Sequence, residues 1–104
     1  MKTYLVSKIK CWSDELAYKD YYLYQDLEDA LEKLQQLVDL YICDLCDYYD
    51  LEENSLELLE EQYITIVHNG PRFFCAIVFD GTEEIQIELT ELELQWWYGG
   101  TKDE

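Results

Sequence analysis

Cys43 and Cys46, three residues apart, and His68, the single histidine, are the first side chains in this sequence to test for chemistry. A Cys-x-x-Cys pair supports either zinc ligation or thiol–disulfide exchange. Zinc needs two further ligands, and the remaining candidates, Cys11, Cys75 and His68, are scattered along the chain. Exchange needs a thiolate, which a helix N-terminus stabilises; this pair falls near the C-terminal end of a helical stretch, among carboxylates that disfavour it. On a helical wheel Cys43 and Cys46 share the polar side with Glu28, Glu32 and Asp39. The simplest reading is therefore two ordinary thiols, with zinc as the competing one. His68 precedes Asn69-Gly70-Pro71 and reads as a turn residue. No glycine-rich phosphate loop, nucleophile elbow or His-Glu zinc motif is present. Pairs such as Glu52-Glu53 and Glu83-Glu84 arise by chance in a chain this acidic. The expectation is a protein that binds, with no catalytic residue and no cofactor.

The elements that must position any binding residues follow from periodicity. Residues 3–12 alternate loosely and hold β-branched and aromatic types, so they predict an opening strand. Residues 18–24 predict a second strand or an extended arm. From Asp26 to about Tyr49, Leu27, Ala30, Leu31, Leu34, Val38, Tyr41 and Leu45 recur at three- and four-residue spacing, which predicts one long amphipathic helix. Asp26 is its natural N-cap, with Glu28 and Asp29 in the first turn. Asp50-x-x-Glu53 and Asn54-x-x-Glu57 resemble capping boxes and predict a short second helix through Leu56 and Leu59. Beyond Gln62 the period becomes two. Strands are expected over 63–67 and 73–79, with a hairpin at Asp80-Gly81 and a further strand marked by Ile85, Ile87 and Leu89. Leu92, Leu94 and Trp96 continue that alternation one residue out of phase, which implies a bulge or tight bend near Thr90-Glu91. The fold class is α+β: an antiparallel sheet of four to five strands on one long helix, with a short second helix. The run 73–79 is apolar on both faces, so the side away from the long helix needs the short helix, the amino-terminal segment or a partner to close it.

Length and composition bound the rest. The 104 residues suit a single domain able to bury a core without metal or disulfide staples. No stretch approaches a signal peptide or a membrane span, so a cytoplasmic address with reduced thiols is expected. The outlier is charge: 24 Asp and Glu against 7 Lys and Arg, a net of −17. Such self-repulsion opposes compaction. The acids are also clustered. Residues 44–61 hold eight carboxylates and no base, and residues 80–93 hold six more.

Two surfaces are therefore candidates for contact with a basic partner. The first is Asp44, Asp47, Asp50, Glu52, Glu53, Glu57, Glu60 and Glu61, with Tyr48 and Tyr49 embedded among them. The second is Glu83, Glu84, Glu88, Glu91 and Glu93, closed by Trp97. On a strand, alternate side chains point the same way ~6.6 Å apart. Glu84, Glu88 and, past the bulge, Glu91 and Glu93 are expected to form a line of carboxylates. DNA presents one phosphate per ~3.4 Å on each strand, so ordered carboxylates can occupy a groove built for nucleic acid. Ten tyrosines and three tryptophans add anchor residues of the kind that dominate interfaces. Alternation requires one of each adjacent pair to pack inward, leaving Trp97 and either Tyr48 or Tyr49 exposed. The bland alternatives are a solvated face and adaptation to high salt, the latter usually spread evenly and not clustered.

In size, charge, aromatic content and α+β layout the chain resembles the small acidic proteins that phages and mobile elements use against bacterial defence, anti-CRISPR proteins and anti-restriction DNA mimics. No single motif carries the likeness. It implies a stoichiometric inhibitor that blocks the basic DNA or guide-RNA groove of a nuclease, such as Cas9 or another CRISPR effector, in the host bacterial cytoplasm, without binding nucleic acid itself. Two other readings stand beside it: an immunity protein or antitoxin against a basic toxin, and a homo-oligomeric adaptor, at its simplest a homodimer, that self-associates through the doubly apolar strand.

Overall fold

A computed structural model of the chain describes residues 2–12, 15–78 and 81–93, with residues 15–18 as backbone. The elements are β1 (Lys2–Trp12), β2 (Glu15–Tyr24), α1 (Leu27–Tyr48), α2 (Leu56–Gln62), β3 (Ile64–Asn69), β4 (Phe73–Val78) and β5 (Glu83–Glu93). The strands form one antiparallel sheet in the order β2-β1-β5-β4-β3, packed against the two helices, one long and one short. This is the α+β class expected from the sequence, and residues 18–24 belong to a strand.

The period of α1 dictates its packing. Ala30, Leu34, Leu37, Val38, Tyr41 and Leu45 are buried and meet Val6, Phe74, Ala76, Val78, Ile85, Ile87 and Leu89 from the sheet in one hydrophobic cluster. Tyr41 and Phe74 pack edge to face, ring centroids 6.2 Å apart. Asp26 caps the helix, its carboxylate accepting from the Glu28 N–H at 3.0 Å. At the other end Asp50 adopts φ 58°. The Leu51 N–H reaches back to the Cys46 carbonyl at 2.8 Å, and that of Asp50 to the Asp47 carbonyl at 3.2 Å. That is a Schellman closure with aspartate in the left-handed position usually given to glycine. Asp50 therefore ends α1 and begins no capping box. The cap of α2 is neither Asp50 nor Asn54 but Ser55, whose hydroxyl accepts from the Leu58 N–H at 3.3 Å.

One sequence expectation fails in the sheet and a second is narrowed. β5 pairs with β1 without a register shift from Lys2 opposite Glu93 to Trp12 opposite Glu83, so there is no bulge at Thr90-Glu91. The shifts lie instead between Lys10 and Cys11 in the pairing with β2, and between Ile66 and His68 in β3. The second concerns the far side of β4. Phe74, Ala76 and Val78 face the helices, while Phe73, Cys75 and Ile77 face away. α2 packs on the same side as α1, with Leu59 in the common cluster, and the amino-terminal segment is a strand within the sheet. Neither covers the far face. The tight turn into β5 is made by Gly81, at φ 76°, whose N–H donates to the Val78 carbonyl at 2.7 Å; Phe79, Asp80, Leu94, Trp96 and Gly99-Gly100 lie outside the described residues.

Candidate functional site

Thirteen of the carboxylates fall between Asp26 and Glu61, opposed there by Lys33 alone, and the fold turns this excess into a layer. Burial of one stripe of α1 forces the opposite stripe outward, so Glu28, Asp29, Glu32, Asp39 and Asp47 are exposed along a helix ~33 Å long. Asp44 is exposed on its flank. The Schellman closure then folds the chain back, and Asp50, Glu52, Glu53, Glu57, Glu60 and Glu61 continue the acidic surface across the connector and α2, all exposed. Among the described residues no cation lies within ion-pair distance of these last six, of Asp44 or of Asp47. Lys33 is directed elsewhere, its ammonium 4.3 Å from the ring centre of Tyr22 and 3.4 Å from Gln36 Oε1. A shallow groove of about 740 Å³ runs along the outer side of α1, bordered by Asp29, Glu32, Gln36, Asp39, Leu40 and Asn54.

The first candidate surface is thus brought together, and it extends further than expected. Glu28, Asp29, Glu32 and Asp39 belong to it; their three- and four-residue spacing opposite the apolar stripe was the available signal. Tyr48 is the exposed member of its pair, 79% accessible. Tyr49 is half-buried and stacks on Tyr63, centroids 4.0 Å apart, while its edge meets Tyr48 at 4.9 Å. A recess of about 360 Å³ opens beside Tyr48, floored by Leu45 and Val78 and walled by Lys8, Lys10, Asp44 and Glu83.

The second candidate surface does not assemble. With no bulge, strict alternation places Glu84 and Glu88 on the far face of the sheet and Glu83, Glu91 and Glu93 on the helix side. Glu91 and Glu84 are also engaged differently. Glu91 pairs with Lys2 at 3.3 Å. Glu84 accepts from Gln86 Nε2 at 2.9 Å and from the Cys75 thiol at 3.8 Å. Burial, with that carboxylate beside it, pushes the Cys75 thiol above the ordinary range. Trp97 lies outside the described residues.

Glu83 is a structural carboxylate. It accepts from Trp12 Nε1 at 3.0 Å and from the Tyr41 hydroxyl at 3.4 Å, and stands 3.8 Å from the Lys10 ammonium. Burial first, and then Glu83, hold the Tyr41 phenol well above its usual pKa. The Lys10 ammonium also lies about 6 Å from the ring centres of Tyr41 and Trp12. Replacing Glu83 with Ala strands these donors, so an expected loss of about 1–3 kcal/mol should register in urea unfolding. A loss below about 0.5 kcal/mol would show that water satisfies the donors as well.

The thiols sit differently from the wheel. Cys46 is fully buried and donates to the Ser55 carbonyl at 4.0 Å, and Cys43 is half-buried, accepting from Asn54 Nδ2 at 3.6 Å. The returning connector covers what the helix alone would leave exposed. His68 is exposed beside the Phe73 ring, centroids 5.2 Å apart. Among the described residues no three His, Cys, Asp or Glu side chains converge as metal ligands would, and no helix is long and apolar enough to cross a membrane.

Comparisons of the chain with protein-family models, curated proteins and solved structures return no match.

Proposed function

We propose that the helical layer is a docking surface for a basic, nucleic-acid-binding protein, and that the chain is a stoichiometric inhibitor of a defence nuclease, with a CRISPR effector such as Cas9 as the leading target. It acts by occupying a basic groove, with no chemical step and no cofactor. The observation that carries this reading is the charge at the C-terminal end of α1. That end of a helix is the negative pole of its dipole and favours cations. Here the last turn holds no base, Asp44 and Asp47 stand in or beside it, and Asp50 follows in a left-handed conformation. Each carboxylate there works against folding, and a cationic partner would relieve all of them at once. Tyr48 supplies an exposed anchor at the same place.

Stability and binding should then trade against each other. Asp44→Asn and Asp47→Asn are expected to raise stability by about 0.3–1 kcal/mol per residue in urea unfolding while weakening partner binding. Substitutions that stabilise without touching affinity would remove the reason given for keeping these acids.

The direct test is competition. Added to purified Cas9 loaded with guide, the protein should prevent target DNA from binding at close to equimolar ratio, with an affinity that falls steeply as salt rises. If DNA binding by Cas9 and by other CRISPR effectors is untouched at any ratio, the defence-nuclease reading fails; if inhibition persists unchanged at high salt, electrostatic mimicry does.

A further inference from the structure

The far face of the sheet has a character unlike the rest of the surface. Register places Leu5, Ile9, Tyr21, Leu23, Phe73 and Ile77 on it, with no helix above them among the described residues. Leu23 is 65% and Tyr21 54% exposed. The charged residues that alternation puts there are Lys19, Glu84 and Glu88, and Glu84 is already turned onto Gln86 and Cys75. We infer that a second copy of this chain docks on this face, sheet against sheet, giving a four-layer dimer with both acidic helical layers outward.

Charge selects this geometry. Two chains of net −17 cannot meet through layers carrying 13 carboxylates and one base each. The sheet face is where like-charge repulsion is least. Packed sheets lie ~10 Å apart, and a helix layer stands a further ~10 Å out on each side, so the acidic surfaces would be ~30 Å apart, several times the ~8 Å screening length at physiological salt. Area is sufficient as well. Five strands at ~4.8 Å spacing and ~20–36 Å long outline a face of about 600–700 Å² per copy, so complete coverage gives at most ~1,300 Å² in total, at the lower end of specific interfaces. The dimer is therefore expected to be of moderate strength.

Glu88 distinguishes the two possible occupants in a test. It is exposed on β5, the middle strand of the sheet, so in a symmetric dimer the two Glu88 carboxylates approach one another and oppose association. Against a basic foreign segment the same residue would attract.

Sedimentation equilibrium of the full chain tests this. The expected result is a mass of twice 12.5 kDa, with association strengthened by salt. Leu23→Glu should weaken dimerisation at least ~10-fold with an unchanged circular dichroism spectrum, and Glu88→Gln should tighten it. A chain monomeric into the millimolar range overturns the inference, including the case where Leu23→Glu lowers stability and so assigns the face to residues 94–104. A dimer indifferent to Leu23→Glu, or loosened by salt or by Glu88→Gln, also overturns it. None of these outcomes bears on the partner proposed for the helical layer, which lies on the opposite side.

Discussion

Asp44, Asp47, Glu57 and Glu61 replaced together by lysine should cost at least ~100-fold in affinity for the proposed basic partner and leave the fold intact. An exposed ion pair contributes only ~0.2–1 kcal/mol. Reversal, however, converts each attraction into a repulsion, and four reversals move the local charge by eight units. Long-range steering of the encounter is lost as well, which slows association before any contact forms. All four side chains are exposed, so no core contact is removed. Calorimetric titration at physiological salt, with circular dichroism as the folding control, measures both halves of the expectation. The control is reversal of Glu84 and Glu88 on the far face of the sheet, which moves the charge by four units and is expected to leave this affinity close to wild type. If the two sets weaken binding in proportion to the charge moved, only net charge matters and the helical layer has no special role.

The largest effect on stability is expected from Leu59→Ala. α2 has seven residues, well short of the ~12–15 at which an isolated helix begins to hold its own shape, so tertiary packing must fix it. Leu59 is its one fully buried side chain, set in the cluster with Ile64. Truncation removes that anchor and leaves a cavity, an expected loss of about 2–5 kcal/mol from a total that for a domain of this kind is ~5–15. The Tyr49–Tyr63 stack beside it should loosen too. Urea unfolding followed by tyrosine and tryptophan fluorescence would register the change, and partner affinity should drop because Glu57, Glu60 and Glu61 lose their fixed positions. A cost under about 1 kcal/mol would mean that the connector alone holds α2 in place.

What the sequence disclosed and what it hid divide along a physical line. α1 and its cap at Asp26 were legible because the three- and four-residue spacing and the capping chemistry are local. The outward stripe of carboxylates was legible for the same reason, since in a helix the inward residues determine the outward ones. β5 was misjudged because the slip from Leu89 to Leu92 looks like a bulge only if every apolar side chain must share one side. Leu92 instead lies on the face away from the helices, where β4 also places Phe73 and Ile77. Cys46 was misplaced because its cover comes from the returning connector, a contact that no helical wheel contains. The role of Glu83 depends on Trp12 and Tyr41, far away in sequence, and nothing in its neighbourhood announces them.

The outward stripe of α1 and the acids of α2 share almost no side chain with the core, and that separation has an evolutionary consequence. Most substitutions there remove no core contact and cost the fold little, so the surface can be rewritten as quickly as the proposed target changes its own. Asp50 is the exception. Its left-handed backbone admits glycine, asparagine or aspartate at little cost and penalises other residues. Across diverging relatives the outer helix positions should therefore drift freely in identity while position 50 stays within that short list, a fixed point in an otherwise adaptable surface.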